Sequence, residues 1–88
     1  MVNNRRSEIE IIAEILEVSK EGAKSTEILY RGYLSYSQLK QYLPYLLEKE
    51  VLSEQTINNG NGKSKVYRLT EKGKDLLVDI NKVQNYFK

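Results

Sequence analysis

"YLSYSQLKQYLPYLLEKEVL", Tyr33 to Leu52, keeps a helical rhythm of leucines yet is crowded with tyrosines and neutral polar residues, with Pro44 in its middle. On a wheel of 3.6 residues per turn, Leu39, Leu43 and Leu46 form one inward face, flanked by Tyr42 and Leu47. Ser35 and Gln38 have the spacing of a capping box, so the pattern predicts a helix over Tyr36 to Lys49. Its other face carries Ser37, Gln41, Pro44 and Glu48, with Lys40 and Tyr45 on the shoulders. Its first turns carry Ser, Gln, Lys and Tyr, which hydrogen-bond or stack without bringing negative charge. That chemistry suits base edges and a row of phosphates. Pro44 loses one helical hydrogen bond and crowds the carbonyl of Lys40, which is tolerable where it faces outward.

Upstream, "SEIEIIAEILEVSK" opens with Ser7 and Glu10 as a second capping box and predicts a helix over Glu8 to Lys20, ending near Gly22. Ile9, Ile12 and Leu16 share one side, with Ile11 and Ile15 beside them, and Glu10, Glu14, Glu17 and Glu21 line the opposite side. The apolar arc is wider than a surface helix needs, which predicts contact with a second element besides the core. The glutamate row reads as a solvated face that nucleic acid avoids. A short helix follows over Thr26 to Gly32, with Ser25 as the expected N-cap, Ile28 and Leu29 turned inward, and Gly32 favouring the turn.

Downstream the rhythm changes. Leu52–Ile57 and Ser64–Thr70 are β-branched and aromatic runs separated by "NNGNGK", Asn58 to Lys63, so a β-hairpin with a slightly long, mobile tip is expected. Thr70 is the expected N-cap of a last helix over Glu71 to Tyr86. Along it Leu76, Ile80, Val83 and Phe87 recur as a coiled-coil seam that Leu77 widens.

With 88 residues the chain is one small domain over 1–88, its core thin enough for a dimer interface to be a natural supplement. It has no cysteine and no histidine, which removes disulfides, thiol nucleophiles and the commonest general base and metal ligand. No catalytic residues, metal or cofactor are expected, and an enzyme is the least favoured class. No apolar run reaches membrane-spanning length and no signal-peptide core follows "MVNNRRSE", so a soluble, cytoplasmic, nucleoid-associated protein is expected. Net charge is only +2, but residues 58–74 hold Lys63, Lys65, Arg68, Lys72 and Lys74 against Glu71 alone. A local positive patch on a nearly neutral chain points to a directed contact with an anion.

Helix, short helix, turn, helix, then a basic-tipped hairpin is the order of a winged helix-turn-helix: α+β, mostly α, with three helices, a hairpin wing and a C-terminal dimerisation helix over 71–88. In that geometry the helix over 36–49 enters the major groove and the wing over 58–65 lies on the backbone or minor groove. The wing offers Asn58, Asn59, Asn61, Lys63 and Lys65, and the helix offers Ser35, Tyr36, Ser37, Gln38, Lys40, Gln41 and Tyr45.

"LSYSQLKQYLPYLLEKEVL" followed by "YRLTEKGKDLL" resembles the small archaeal winged-helix regulators and chromatin-type DNA-binding proteins, relatives of MarR-like and PadR-like domains. The likeness covers roughly Arg5 to Leu77. It implies DNA contacts from Ser37, Gln38, Lys40, Gln41 and the wing lysines, and a homodimer paired through the last helix at Leu76, Leu77, Ile80, Val83 and Phe87. The chain departs from the group in a shorter last helix, in Pro44, and in Glu50, where the group ends its recognition helix with glycine. The leading expectation is a dimeric, non-enzymatic protein that binds double-stranded DNA with full or partial sequence specificity, as a transcription regulator. Two readings stay open: a winged helix that binds protein instead, for which the five tyrosines between Tyr30 and Tyr45 are suited, and a nucleoid-type DNA coat, against which the low net charge argues.

Overall fold

The computed structural model describes residues 7–87; the first six residues, including the expected start of the domain and Arg5, and Lys88, the last residue of the expected 71–88 helix, lie outside them. Four helices and a three-stranded antiparallel sheet follow in the order α1 (Glu8–Val18), β1 (Ala23–Lys24), α2 (Ser25–Arg31), α3 (Tyr36–Glu48), β2 (Leu52–Asn59), β3 (Gly62–Leu69) and α4 (Glu71–Tyr86). This is the expected α+β, mostly helical architecture, with one strand more than the sequence announced. The sheet order is β1-β3-β2, and β1 enters it through Ala23 opposite Tyr67 and Lys24 opposite Val66.

Both expected capping boxes form. In α1 the Ser7 N–H donates to Glu10 Oε1 at 2.9 Å and the Glu10 N–H donates to Ser7 Oγ at 3.2 Å. In α3 the Ser35 N–H donates to Gln38 Oε1 at 2.9 Å and the Gln38 N–H to Ser35 Oγ at 3.1 Å. Helix α1 stops two residues before Lys20, because the buried Ser19 caps it and donates its hydroxyl to the Ile15 carbonyl at 2.8 Å. Ser25 is not the N-cap of α2. Lys24 holds that place, its N–H donated to Glu27 Oε1 at 2.9 Å, because the chain is still in β1 there and enters the helix directly from the strand.

α2 and α3 end in the same way. The Leu34 N–H donates to the Leu29 carbonyl and the Tyr33 N–H to the Tyr30 carbonyl; the Val51 N–H donates to the Leu46 carbonyl and the Glu50 N–H to the Leu47 carbonyl. Both are Schellman motifs, each bringing a buried residue, Leu34 or Val51, back onto the core. The left-handed position falls on Tyr33 (φ 55°) and Glu50 (φ 64°), neither of them glycine. Gly32, expected to make the first turn, is an ordinary right-handed C-cap one residue early.

The core is one cluster. Ile11, Ile12, Ile15 and Leu16 of α1 meet Ile28 of α2, Leu39, Leu43 and Leu46 of α3, Tyr67 and Leu69 of β3, and Leu77 and Ile80 of α4. The second element that the wide arc of α1 touches is α4. Ile9, expected inward, is 48% exposed because it sits in the first turn, beyond the main core.

α3, the sheet and α4 meet at Thr70. Its N–H donates to the Val51 carbonyl at 3.2 Å, its hydroxyl donates to the Glu50 carbonyl at 2.6 Å, and the same oxygen accepts the Gly73 N–H at 3.0 Å. Gly73 is buried, and a Cβ there would collide with the Val51 carbonyl oxygen. The "LTEKG" opening therefore has a steric reason: only glycine lets the first turn of α4 lie against the start of β2.

Gly73→Ala is expected to cost on the order of 2–4 kcal/mol or to abolish folding, read from urea unfolding, because the obstacle is backbone. Glu50→Gly is expected to raise stability by about 0.5–1 kcal/mol in the same assay, by removing a side chain from a left-handed position.

Candidate nucleic-acid interface

α3 buries Leu39, Tyr42, Leu43 and Leu46 and leaves Tyr36, Ser37, Lys40, Gln41, Pro44, Tyr45 and Glu48 exposed. The leucine-free face therefore looks outward, and the helix runs unbroken through Pro44. Ser35 and Gln38 lie at its start, but their side chains are engaged in capping, and Ser35 Oγ is also 3.2 Å from Ser37 Oγ. Lys40 Nζ lies 5.5 Å from the centroid of the Tyr36 ring, so an aromatic face steadies this ammonium beside the exposed stripe. Lys49 stands over Tyr45 in the same way at 5.6 Å.

The register of the hairpin decides where the wing residues point. Leu52 pairs with Leu69, Glu54 with Tyr67, Thr56 with Lys65 and Asn58 with Lys63. Side chains alternate along a strand, so all eight share one face. The base of that face is buried in Leu52, Tyr67 and Leu69. Next, Glu54 and Tyr67 line a groove of about 370 Å³ whose other wall is Tyr36, Lys40 and Pro44 of α3. Lys65, Lys63 and Asn58 continue this face toward the tip. Asn59 falls on the other face, its amide donating to Ser64 Oγ at 2.9 Å, and Asn61 lies in the turn. The tip is shorter than expected: the strands run to Asn59 and Gly62, leaving only Gly60 and Asn61 between them. Gly62, at φ 141°, takes the unusual backbone angle there.

Two groups in this groove were not singled out from sequence. The Tyr67 hydroxyl donates to Glu54 Oε2 at 3.0 Å, and Lys65 Nζ lies 3.8 Å from Glu54 Oε1. A raw sequence hides this triad, because Glu54, Lys65 and Tyr67 come together only once the strand register is known. Burial, then the hydrogen bond to Glu54 and its negative charge, push the Tyr67 phenol up to about 12.

The expected dimerisation seam is divided. Leu77 and Ile80 are buried in the chain's own core and Leu76 is packed half-buried against it, because α4 supplies the cover that α1 needs. Those residues are thereby occupied within the chain. Val83 and Phe87 are 57% and 80% exposed, and with Ile9 they line one shallow depression. Among the described residues no helix is long and apolar enough to cross a membrane, and no group of His, Cys, Asp and Glu has metal-binding geometry.

An outward polar helix set beside a basic hairpin, on a three-helix core closed by α4, defines a winged helix-turn-helix. The chain belongs to that family, whose model matches residues 5–88. It is 38% identical over 80 residues to the protein MJ0290 of Methanocaldococcus jannaschii; the match covers 90% of this chain but 34% of the relative, so the chain spans about a third of its length. Among solved structures it is similar to Sso10a-2, a DNA-binding protein from Sulfolobus solfataricus, at 28% identity and a TM-score of 0.81, over 92% of this chain and 81% of that one. It shares its fold with a PadR-family transcriptional regulator from Eggerthella lenta, at 18% identity and a TM-score of 0.75, over 88% and 73% of the two chains. It also shares it with Bacillus subtilis PadR, solved with operator DNA, at 22% identity and a TM-score of 0.66, over 78% and 44%. The resemblance to small archaeal winged-helix proteins and PadR-like domains is thus met by comparison.

For Tyr67 the folded value lies above the ordinary value of 10.0, so its contribution is fully present below pH 10 and is lost as pH rises from there toward 12. Denaturant unfolding at pH 9 and pH 11 is expected to show a loss in wild type of about 1 kcal/mol that Tyr67→Phe lacks.

Proposed function

We propose that this chain is a double-stranded DNA-binding transcription regulator without enzymatic activity. The observation that carries the reading is the outward exposure of Ser37, Lys40, Gln41 and Tyr45 on α3 beside a hairpin face that runs from Glu54 and Tyr67, which meet Tyr36, Lys40 and Pro44 of α3 across one groove, out to Lys65 and Lys63. α3 is of a size to enter a major groove, with Ser37, Lys40 and Gln41 at base edges and Tyr36 and Tyr45 beside the backbone. The Ser35–Gln38 box holds the start of the helix in place. Lys63, Lys65 and Asn58 meet phosphates, and Asn59 and Asn61 contribute only through the tip. The likeness to the DNA-binding protein Sso10a-2 and to PadR supports this use of the fold.

The active form in this reading is a homodimer of single-domain chains, with Val83 and Phe87 of α4 as the contact left open to a second copy. Two copies would set recognition helices about 34 Å apart, one turn of DNA. The protein acts in the cytoplasm, on the nucleoid, and as a regulator more than as a coat, because +2 is too little charge for indiscriminate coverage.

A protein-binding role has its own observation: Tyr30, in the last turn of α2, and Tyr33, in the turn that follows, are 76% and 82% exposed. Binding to random duplex at low salt separates the two roles, since a purely protein-binding domain leaves it free at micromolar concentration.

Lys63→Ala is expected to weaken binding by several-fold on every duplex and to reduce the slope of log K against log salt by about 0.9, the share of one phosphate contact. Fluorescence anisotropy across a salt series measures this. An unchanged slope would remove the wing from the phosphates.

A further inference from the structure

We infer that Glu54 is a brake on non-specific DNA binding: its carboxylate, anchored by Tyr67, holds Lys65 back from phosphate. This rests on the DNA-binding reading and adds to it a residue that sets the balance between specific and non-specific affinity.

Leu52, Glu54, Thr56, Asn58, Lys63, Lys65, Tyr67 and Leu69 make up the α3-facing side of the hairpin, and Glu54 is the one acid among them. A surface meant only to collect phosphates has no use for a carboxylate in that place. Glu54 is not free to swing away. Its Oε2 accepts the Tyr67 hydroxyl at 3.0 Å, and Tyr67 is only 6% exposed, so the phenol is a fixed post rooted in the core. The other carboxylate oxygen is turned to Lys65, with Oε1 3.8 Å from Nζ. Lys63, nearer the tip on the same face, has no ion pair among the described residues. The two wing lysines are therefore unequal. Lys63 meets an approaching backbone at once, whereas Lys65 must first leave Glu54.

The tether is weak by design of its surroundings, since the Lys65 and Glu54 side chains are 61% and 34% exposed and water competes for both. Its effect is accordingly a few-fold one. It falls unevenly on different complexes. A non-specific complex is held almost wholly by phosphate contacts, so losing part of one lysine costs it a large share of its affinity. A complex that also has base-edge contacts from Ser37, Lys40 and Gln41 has other sources of affinity and better geometry for drawing Lys65 away. Glu54 thus acts as a positioning residue, through Lys65.

The test is anisotropy with random and selected duplexes, on wild type, Glu54→Gln, Lys65→Gln and the double variant. Gln keeps an oxygen for Tyr67 to donate to, and a thermal melt checks that the wing is intact. Glu54→Gln is expected to bind random duplex three- to ten-fold more tightly at low salt, to gain less on the selected duplex, and to gain nothing when Lys65 is already Gln. A gain that persists in the Lys65→Gln background, or no gain at all while wild type binds, overturns the brake and leaves the DNA reading standing. Failure of every form to bind any duplex removes the DNA reading and the brake together. A measurement without DNA stands beside it: competitive acylation read by mass spectrometry should modify Lys65 more slowly than Lys63 in wild type and at closer rates in Glu54→Gln. Equal ratios in the two proteins would contradict the tether.

Discussion

Thr70 is hydrogen-bonded to three places at once: the Glu50 and Val51 carbonyls just after α3, and the Gly73 N–H in the first turn of α4. The base of the hairpin, Leu52 opposite Leu69, is the next pair along. One residue therefore ties together the end of the exposed helix, the root of both wing strands and the start of the last helix. The position of the wing relative to α3, on which the groove between them depends, follows from this knot. The knot in turn needs glycine at position 73, because the Val51 carbonyl occupies the space a side chain would take.

From that geometry the chemistry of the groove is a consequence of strand alternation. Leu52, Tyr67 and Leu69 are drawn into the core, so every second residue outward must lie on the side of α3. That rule gives Lys65, Lys63 and Asn58 to the groove side, turns Asn59 away, and puts Glu54 between the core and the lysines. The acidic row of α1 contributes nothing to the groove walls. The acids of α1 thus lie apart from the groove, and Glu54 is the one carboxylate set among the wing lysines.

Helices with a cap at each start were readable from residues alone: Ser7 with Glu10, Ser35 with Gln38, and Thr70 mark their helices as the structure has them. The outward stripe of α3 followed from leucine spacing. What resisted reading was set by contacts distant in the chain. β1 exists because Ala23 and Lys24 find Tyr67 and Val66, more than forty positions on, and that strand moved the cap of α2 from Ser25 to Lys24. The leucine seam of α4 could equally serve a twin or its own chain, and α1 claimed Leu77 and Ile80. The Glu54–Lys65–Tyr67 triad needed a strand register, which the two adjacent Asn-Gly pairs left ambiguous. Tyr33 and Glu50 occupy left-handed positions that composition would assign to glycine, and there the burial of Leu34 and Val51 outweighed local preference.

The claim at the centre is that α3 and the wing present one surface to DNA. Backbone and side-chain chemical shifts followed by NMR during titration with a short duplex test it most directly. Ser37, Lys40, Gln41, Asn58, Lys63 and Lys65 should shift together, along one binding curve, while Glu10, Glu14 and Glu17 stay still. Shifts confined to α1 or to Val83 and Phe87, with α3 and the wing silent, would contradict it.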